Sequence, residues 1–219
     1  TLRILANQNI ATNDAAGTLT TTANADLDAT TGAITIGGDV SANGVTMDAG
    51  TSIALNAAVA AGNGHLIGNA GSSIASTADG ILTSNQDIVL DANGGSVVLD
   101  GTVTATGAGV VTLEASTSIE TNAAVNADDG VVTMTAQGGN VQVDGTVDGE
   151  GVTLTSNTAD VLVNNAVNAG GTTLDINANQ NITTSDAAGT LTTTANADLD
   201  ATNAAITIGG DVSANGVTM

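Results

Sequence analysis

One feature constrains what this chain can fold into more than any other: residues 173–219 restate residues 1–47 at an offset of 172. Only six of the 47 pairs differ, Arg3 with Asp175, Leu5 with Asn177, Ala11 with Thr183, Asn13 with Ser185, Thr31 with Asn203 and Gly32 with Ala204. Leu2, Ile10, Leu19, Leu27, Ile34, Ile36, Val40 and Met47 all recur unchanged, so the repeat preserves its large apolar residues. A window that starts on Thr and begins and ends inside the same unit reads as a cut from a longer tandem array.

A shorter period lies inside the long one. The apolar residue that ends the VTM and VTL triplets and their relatives falls at Leu27, Met47, Ile67, Leu90, Leu113, Met134, Leu154, Leu174, Leu199 and Met219. A second apolar position follows each anchor, at Ile34, Ile53, Ile74, Val97, Ile119, Val141, Val161, Ile182 and Ile206. A third follows at Val40, Val59, Ile81 or Leu82, Val103, Val125, Val147, Val167, Leu191 and Val212. Each repeat of about 21–22 residues thus holds three short β-branched segments punctuated by Gly, Asn, Asp and Ala, which is strand punctuation.

Strands this short do not satisfy their backbone groups locally, and no two-residue hairpin signal recurs in a fixed place. Parallel stacking of like strands, about 4.8 Å apart, solves the problem. The expected fold is therefore all-β: a single-stranded parallel β-helix, or solenoid, with three faces per coil and about ten coils, forming one continuous segment over residues 1–219. In a triplet such as Val45, Thr46, Met47, alternation sends Val and Met inward and Thr outward. Asn93 with Gly94 and Gly95, Asp100 with Gly101, Asp129 with Gly130 and Asp144 with Gly145 are expected to turn the corners through left-handed backbone. Two longer stretches, ADGILTSNQ and AAGTLTTTANA, are expected to be corner protrusions.

Composition supports thin repeated layers. The chain has no Phe, Trp, Tyr, Cys or Pro, so its core must be built from Val, Ile, Leu, Met and Ala. Disorder competes as a reading at high net charge. Aliphatic residues on a fixed spacing, within a hydrophobic content of 42%, argue against it. With 22 acidic residues against the single Arg3, the formal net charge is −21. Nucleic acid is excluded as an expected partner, since phosphate contacts need Lys and Arg. Anionic membrane surfaces are disfavoured for the same reason, and no apolar run is long enough for a spanning helix, so no membrane insertion is expected.

Two outward columns could carry chemistry. A carboxylate follows the anchor at Asp28, Asp48, Asp91, Glu114, Asp175 and Asp200, interrupted at Gly68, Thr135 and Thr155. Like charges about 5 Å apart on adjacent coils repel, and Ca²⁺ held between them would relieve that cost, so these six are the candidate metal ligands. The plainer reading is a solvated acidic face, and no EF-hand loop or GGxGxD repeat is present. The second column is Thr46, Thr112, Thr133, Thr153, Thr173 and Thr218, broken by Val89 and Asp198. A flat Thr array resembles ice-binding β-helices, but Thr is also simply a good exposed strand residue. His65, the sole histidine, has no second ligand nearby and is expected in a turn or the core. Polysaccharide lyases and hydrolases of β-helical fold need a cationic base or a sugar-binding cleft beside their carboxylates. This chain supplies carboxylates alone, so no enzyme is expected, no catalytic residue is assigned and no cofactor is required.

The stretch GGSVVLDGTVTATGAGVVTLEASTSIETNAAVNADDGVVTMTAQGGNVQVDG resembles the repeats of filamentous-haemagglutinin-type exoproteins and related large bacterial adhesins, and the likeness extends over essentially the whole chain. No residue here matches that family's amino-terminal secretion domain. The resemblance implies a right-handed β-helix, export by a two-partner or autotransporter-like route, and a stalk or adhesive role at the cell surface. The expected partners are further copies of the same repeat, end to end, within one chain or between subunits.

Overall fold

In a parallel solenoid each strand's ladder partner lies one full coil away in sequence, so the pairing register reads the coil length directly. The computed structural model describes residues 1–13 and 17–219, and within them every strand pairing is parallel. Twenty-nine strands repeat in threes. A long face is built from five-residue strands such as Ala25–Ala29, Val45–Ala49 and Val111–Ala115. A second face holds three-residue strands such as Ile34–Ile36 and Val97–Leu99, and a third holds the likes of Val40–Ala42 and Val103–Ala105. The result is a β-solenoid of about ten coils with no helix among the described residues. At Val125–Ala136 and Val147–Ser156 the third face runs into the long face as one strand, with a register shift between Ala127 and Val131.

The core is a stack of aliphatic columns. On the long face Ile4, Leu27, Met47, Gly68, Leu90, Leu113, Met134, Leu154, Ile176 and Leu199 stand in register. Eight coils separate Ile4 from Ile176, 172 residues on, so the long repeat returns the chain to the same point of the coil. The second column runs as read from the sequence, through Ile34, Ile53, Ile74 and Val97 to Ile206. The third does too, with Leu82 and not Ile81 taking the inner place. Ile81 is instead 40% exposed. Interior members of all three columns are buried, and each such Val, Ile or Leu contributes about 1.5–3 kcal/mol by leaving water.

Two anchors are displaced. Ile67 pairs with Thr46 and Val89 and points outward, and Gly68 takes the inner position. A Cβ at Gly68 would lie 3.0 Å from Leu90 Cδ2 and 3.6 Å from Ile53 Cδ1, so neighbouring side chains fill the space a larger residue would occupy. Leu174 is buried, but in the column of Val152 and Ala197, and Ile176 is the true counterpart of Leu154. With these corrections the coils from Ile4 to Leu199 run 20 to 23 residues, and the apparent 25-residue coil disappears.

The corners also depart from expectation. Gly107, at φ 61°, is the one left-handed residue among those described. Glycine is needed elsewhere because stacked corners touch: a Cβ at Gly101 or Gly145 would collide with the carbonyl of Gly80 or Ala123. Asp129 and Gly130 lie within a continuous strand, at the register shift where the third face runs into the long one, and neither is left-handed. The extra residues of the two long coils, 77–81 and 185–190, protrude between the second and third faces.

Inner hydroxyls tie successive corners together. Thr12 Oγ1 accepts from the Gly37 and Gly38 amides at 2.9 and 3.1 Å, Ser76 Oγ from Asp100 and Gly101 at 3.1 and 3.0 Å, and Thr184 Oγ1 from Gly209 and Gly210 at 3.0 and 3.3 Å. Thr121 holds the equivalent place, yet the Asp144 and Gly145 amides both donate to its carbonyl at 2.8 Å, and its buried Oγ1 has no partner. The six positions that differ between the two copies are all outward or at corners. Leu5 is 57% exposed, and Asn177 is half-buried with its Nδ2 donating to Asp175 Oδ1 at 2.9 Å.

Two measurements check the register and the hydroxyl ties. Leu113→Asp places an unpaired charge between coils and should cost several kcal/mol, about 3 or more, whereas Thr112→Asp on the outer surface should cost about 1 or less in urea unfolding. Ser76→Ala strips two amides of their acceptor and should cost about 1–3 kcal/mol. Thr121→Val removes an orphaned hydroxyl at nearly constant shape and should be neutral or stabilising.

Candidate functional site

Alternation along the five-residue strands of the long face sends two side chains per coil outward, which makes two surface columns in every repeat. The column after the anchor reads Leu5, Asp28, Asp48, Asn69, Asp91, Glu114, Thr135, Thr155, Asn177 and Asp200. Five of the six carboxylates expected there are present. Asp175 belongs to the other column, between Thr153 and Asp198, because the anchor of its coil is Ile176 and not Leu174. Asn177 stands in its place, and Asn69 fills the interruption assigned to Gly68.

That neighbouring column reads Arg3, Asp26, Thr46, Ile67, Val89, Thr112, Thr133, Thr153, Asp175, Asp198 and Thr218. Thr173 precedes the strand and is not a member. Paired hydroxyls occur on only two adjacent coils, Thr133 with Thr135 and Thr153 with Thr155, flanked by Glu114 on one side and Asp175 on the other. A hydroxyl array this small gives ice no extended matching surface.

The acidic column is handled in two physically different ways. At Asp48 the next coil supplies an amide: Asn69 Nδ2 donates to Asp48 Oδ1 at 2.7 Å. The same device recurs at the corner after the second face, where Asp100, Asn122, Asp144 and Asn164 follow one another coil by coil. Asn122 donates to Asp100 and Asn164 to Asp144, each at 2.7 Å. At the corner before the second face, Asn181 donates to Asp160 Oδ1 at 3.0 Å. An amide between two carboxylates halves the density of like charge along the column and adds a charge-assisted hydrogen bond. Sequence reasoning missed these asparagines; the signal for them was the alternation of Asp and Asn at a spacing of one coil.

Some carboxylates also stack directly on one another. Asp28 lies against Asp48, and Asp91 against Glu114. Among the described residues Asp28 Oδ1 accepts only a 3.3 Å bond from Thr30 Oγ1. Asp28, Asp48, Asn69 and Asn93 line a shallow notch of about 370 Å³ where the long face meets the next corner. The site offers carboxylates two at a time: no group of three or more His, Cys, Asp or Glu side chains converges among the described residues. The two basic residues each meet one carboxylate, Arg3 Nε with Asp26 Oδ2 and His65 Nδ1 with Asp87 Oδ2, both at 3.0 Å. His65 sits in the corner between the third and long faces. No protein-family model, curated protein or solved structure matches the chain.

Asn69→Asp tests the alternation. It would leave five consecutive carboxylates, Asp28 to Glu114, and should lower stability by about 1 kcal/mol at low ionic strength. Raising the salt should recover most of that loss in thermal melts, because exposed charges are screened.

Proposed function

We propose that this protein is a structural rod: a segment of an extracellular stalk or filament, exported to a bacterial-type cell surface, whose work is length, stiffness and presentation of an adhesive lateral surface. One observation carries the reading. The apolar columns run through every coil, and the 172-residue repeat spans eight whole coils, so one unit follows another without a break in ladder or core. A globular binding module has no use for a core that returns to phase, whereas an array of arbitrary length depends on it. The resemblance to filamentous-haemagglutinin-type repeats points the same way. The partner is then more of the same repeat, either within one long chain or as subunits stacked end to end in a contact that does not close.

A second reading rests on the carboxylates that stack directly on one another. Asp28 beside Asp48, and Asp91 beside Glu114, present carboxylate oxygens to solvent in pairs, with Asp200 further along the same column. A Ca²⁺ ion shared across such a pair would remove a repulsion the rod otherwise carries. In this reading calcium stiffens the rod and is not a catalytic centre.

Image analysis or fibre diffraction of the native material tests the first reading. Strand spacing of about 4.8 Å should lie along the fibre axis, with a long repeat of roughly 38 Å for eight coils. Strands running along the axis would overturn it. Thermal melts with calcium test the second: a real site raises the midpoint with calcium concentration well beyond the effect of an equal ionic strength of sodium. Equal responses to the two salts would reduce the column to a solvated face.

A further inference from the structure

The chain contains four Asn-Gly dipeptides, at Asn43, Asn63, Asn93 and Asn215. This is the pair in which a backbone amide most readily attacks the preceding side chain, since glycine puts no side chain in the way. The structure separates the four. Asn43 is held by its side chain, with Nδ2 donating to Asn24 Oδ1 at 3.0 Å, and Gly44 is buried. After Asn63, the Gly64 nitrogen is occupied, donating to the Asn43 carbonyl at 2.5 Å. After Asn215, Gly216 lies in a strand paired with Asn196.

Among the described residues the Asn63 and Asn215 side chains are exposed and unbonded, and the Gly44 amide has no partner, but Asn93 alone combines all these features. Asn93 and Gly94 are both exposed, at the turn where the long face gives way to the second. Among the described residues the Asn93 side chain makes no hydrogen bond and the Gly94 amide donates to no group. The Asn93 main chain is anchored meanwhile: its amide donates to the Ala70 carbonyl at 2.8 Å, and its carbonyl accepts from Ser116 Oγ at 2.6 Å. The Asp-Gly corners sharpen the contrast. Gly80 donates to the Thr77 carbonyl at 2.9 Å, Gly101 to Ser76 Oγ at 3.0 Å and Gly145 to the Thr121 carbonyl at 2.8 Å. Gly130 and Gly149 lie within strands.

We propose that Asn93 is a site of spontaneous, self-catalysed deamidation. The Gly94 nitrogen loses its proton and bonds to Asn93 Cγ, the Cγ–Nδ2 bond breaks, and ammonia leaves with that proton balance closed by solvent. The succinimide formed is then opened by water at either carbonyl, giving aspartate or isoaspartate. No oxidant, metal or partner is required. The aspartate product sets a further carboxylate on the rim of the notch that Asp28 and Asp48 line. The isoaspartate product inserts a methylene into the main chain of a corner clamped by the coils on either side.

The test is ageing of the native protein in mildly alkaline buffer, followed by peptide mapping with a protease specific for acidic or apolar residues, since Arg3 is the only tryptic site. A parallel sample in denaturant measures the four dipeptides free of structure. Residue 93 should convert severalfold faster than 43, 63 and 215 in the folded protein, yielding both aspartate and isoaspartate, and the four rates should converge in denaturant. Conversion of any other Asn-Gly as fast as Asn93 in the folded protein would overturn the proposal. So would an Asn93 that stays amide while all four convert in denaturant, or one that yields aspartate without isoaspartate.

Discussion

Everything in this molecule depends on the parallel backbone ladder between one coil and the next. A three-residue strand such as Ile53–Leu55 cannot satisfy its amides and carbonyls alone, and its partners lie about one coil away in sequence on either side. A single coil therefore has neither a ladder nor a core. Each added coil closes both for its neighbour, which makes stability a sum over nearest-neighbour interfaces. It also explains a core without aromatics. The interior is only as wide as three facing side chains, and stacked Val, Ile, Leu and Met fill it with few rotamers to lose.

The ladder also determines which errors sequence reading makes. The second and third columns were legible because most of their members are β-branched or Leu residues recurring at a regular distance from the anchor, with only Ile81 and Leu82 left as alternatives. Adjacent apolar residues defeat that logic. In Leu66, Ile67, Gly68 the inward positions belong to Leu66 and Gly68, and a glycine carries no apolar signal of its own. In Leu174, Asp175, Ile176 both apolar residues point inward, and choosing the first as the anchor moved Asp175 into the wrong column. A strand has a period of two, so a one-residue slip exchanges faces, while a two-residue slip keeps the face and changes the neighbours. The first error befell Ile67 and the second Leu174. The candidate site inherited the second: five carboxylates were placed correctly, and the asparagines that neutralise the ladder went unseen because they carry no charge to attract notice.

Corner chemistry was the least legible part. Glycine was read as a supplier of left-handed backbone, its usual role at a turn. In a solenoid the corners of successive coils stack on one another, so glycine is selected by distance instead: the Gly101 and Gly145 positions have no room for a Cβ against the coil below. Whether a corner glycine serves conformation or contact depends on what lies one coil away, and that is set by register.

The net charge of −21 is the property that would most hinder a globular chain of this length, and the rod geometry is what makes it tolerable. In a compact domain every added charge approaches every other, so self-repulsion grows faster than the charge itself. In a solenoid the charge is spread at about two per coil, and at physiological ionic strength screening acts over about 8 Å, less than two coils at about 4.8 Å each. A carboxylate therefore interacts chiefly with the coils immediately adjacent. Lengthening the rod leaves the repulsion per coil unchanged, while the hydrophobic and ladder contributions per coil are unchanged as well. The electrostatic problem is then local, and its solution is local: an asparagine placed one coil from an aspartate at Asp48, Asp100, Asp144 and Asp160. A chain built on these terms can be acidic without limit in length, provided that no single coil interface exceeds what its own columns of Val, Ile and Leu can hold together.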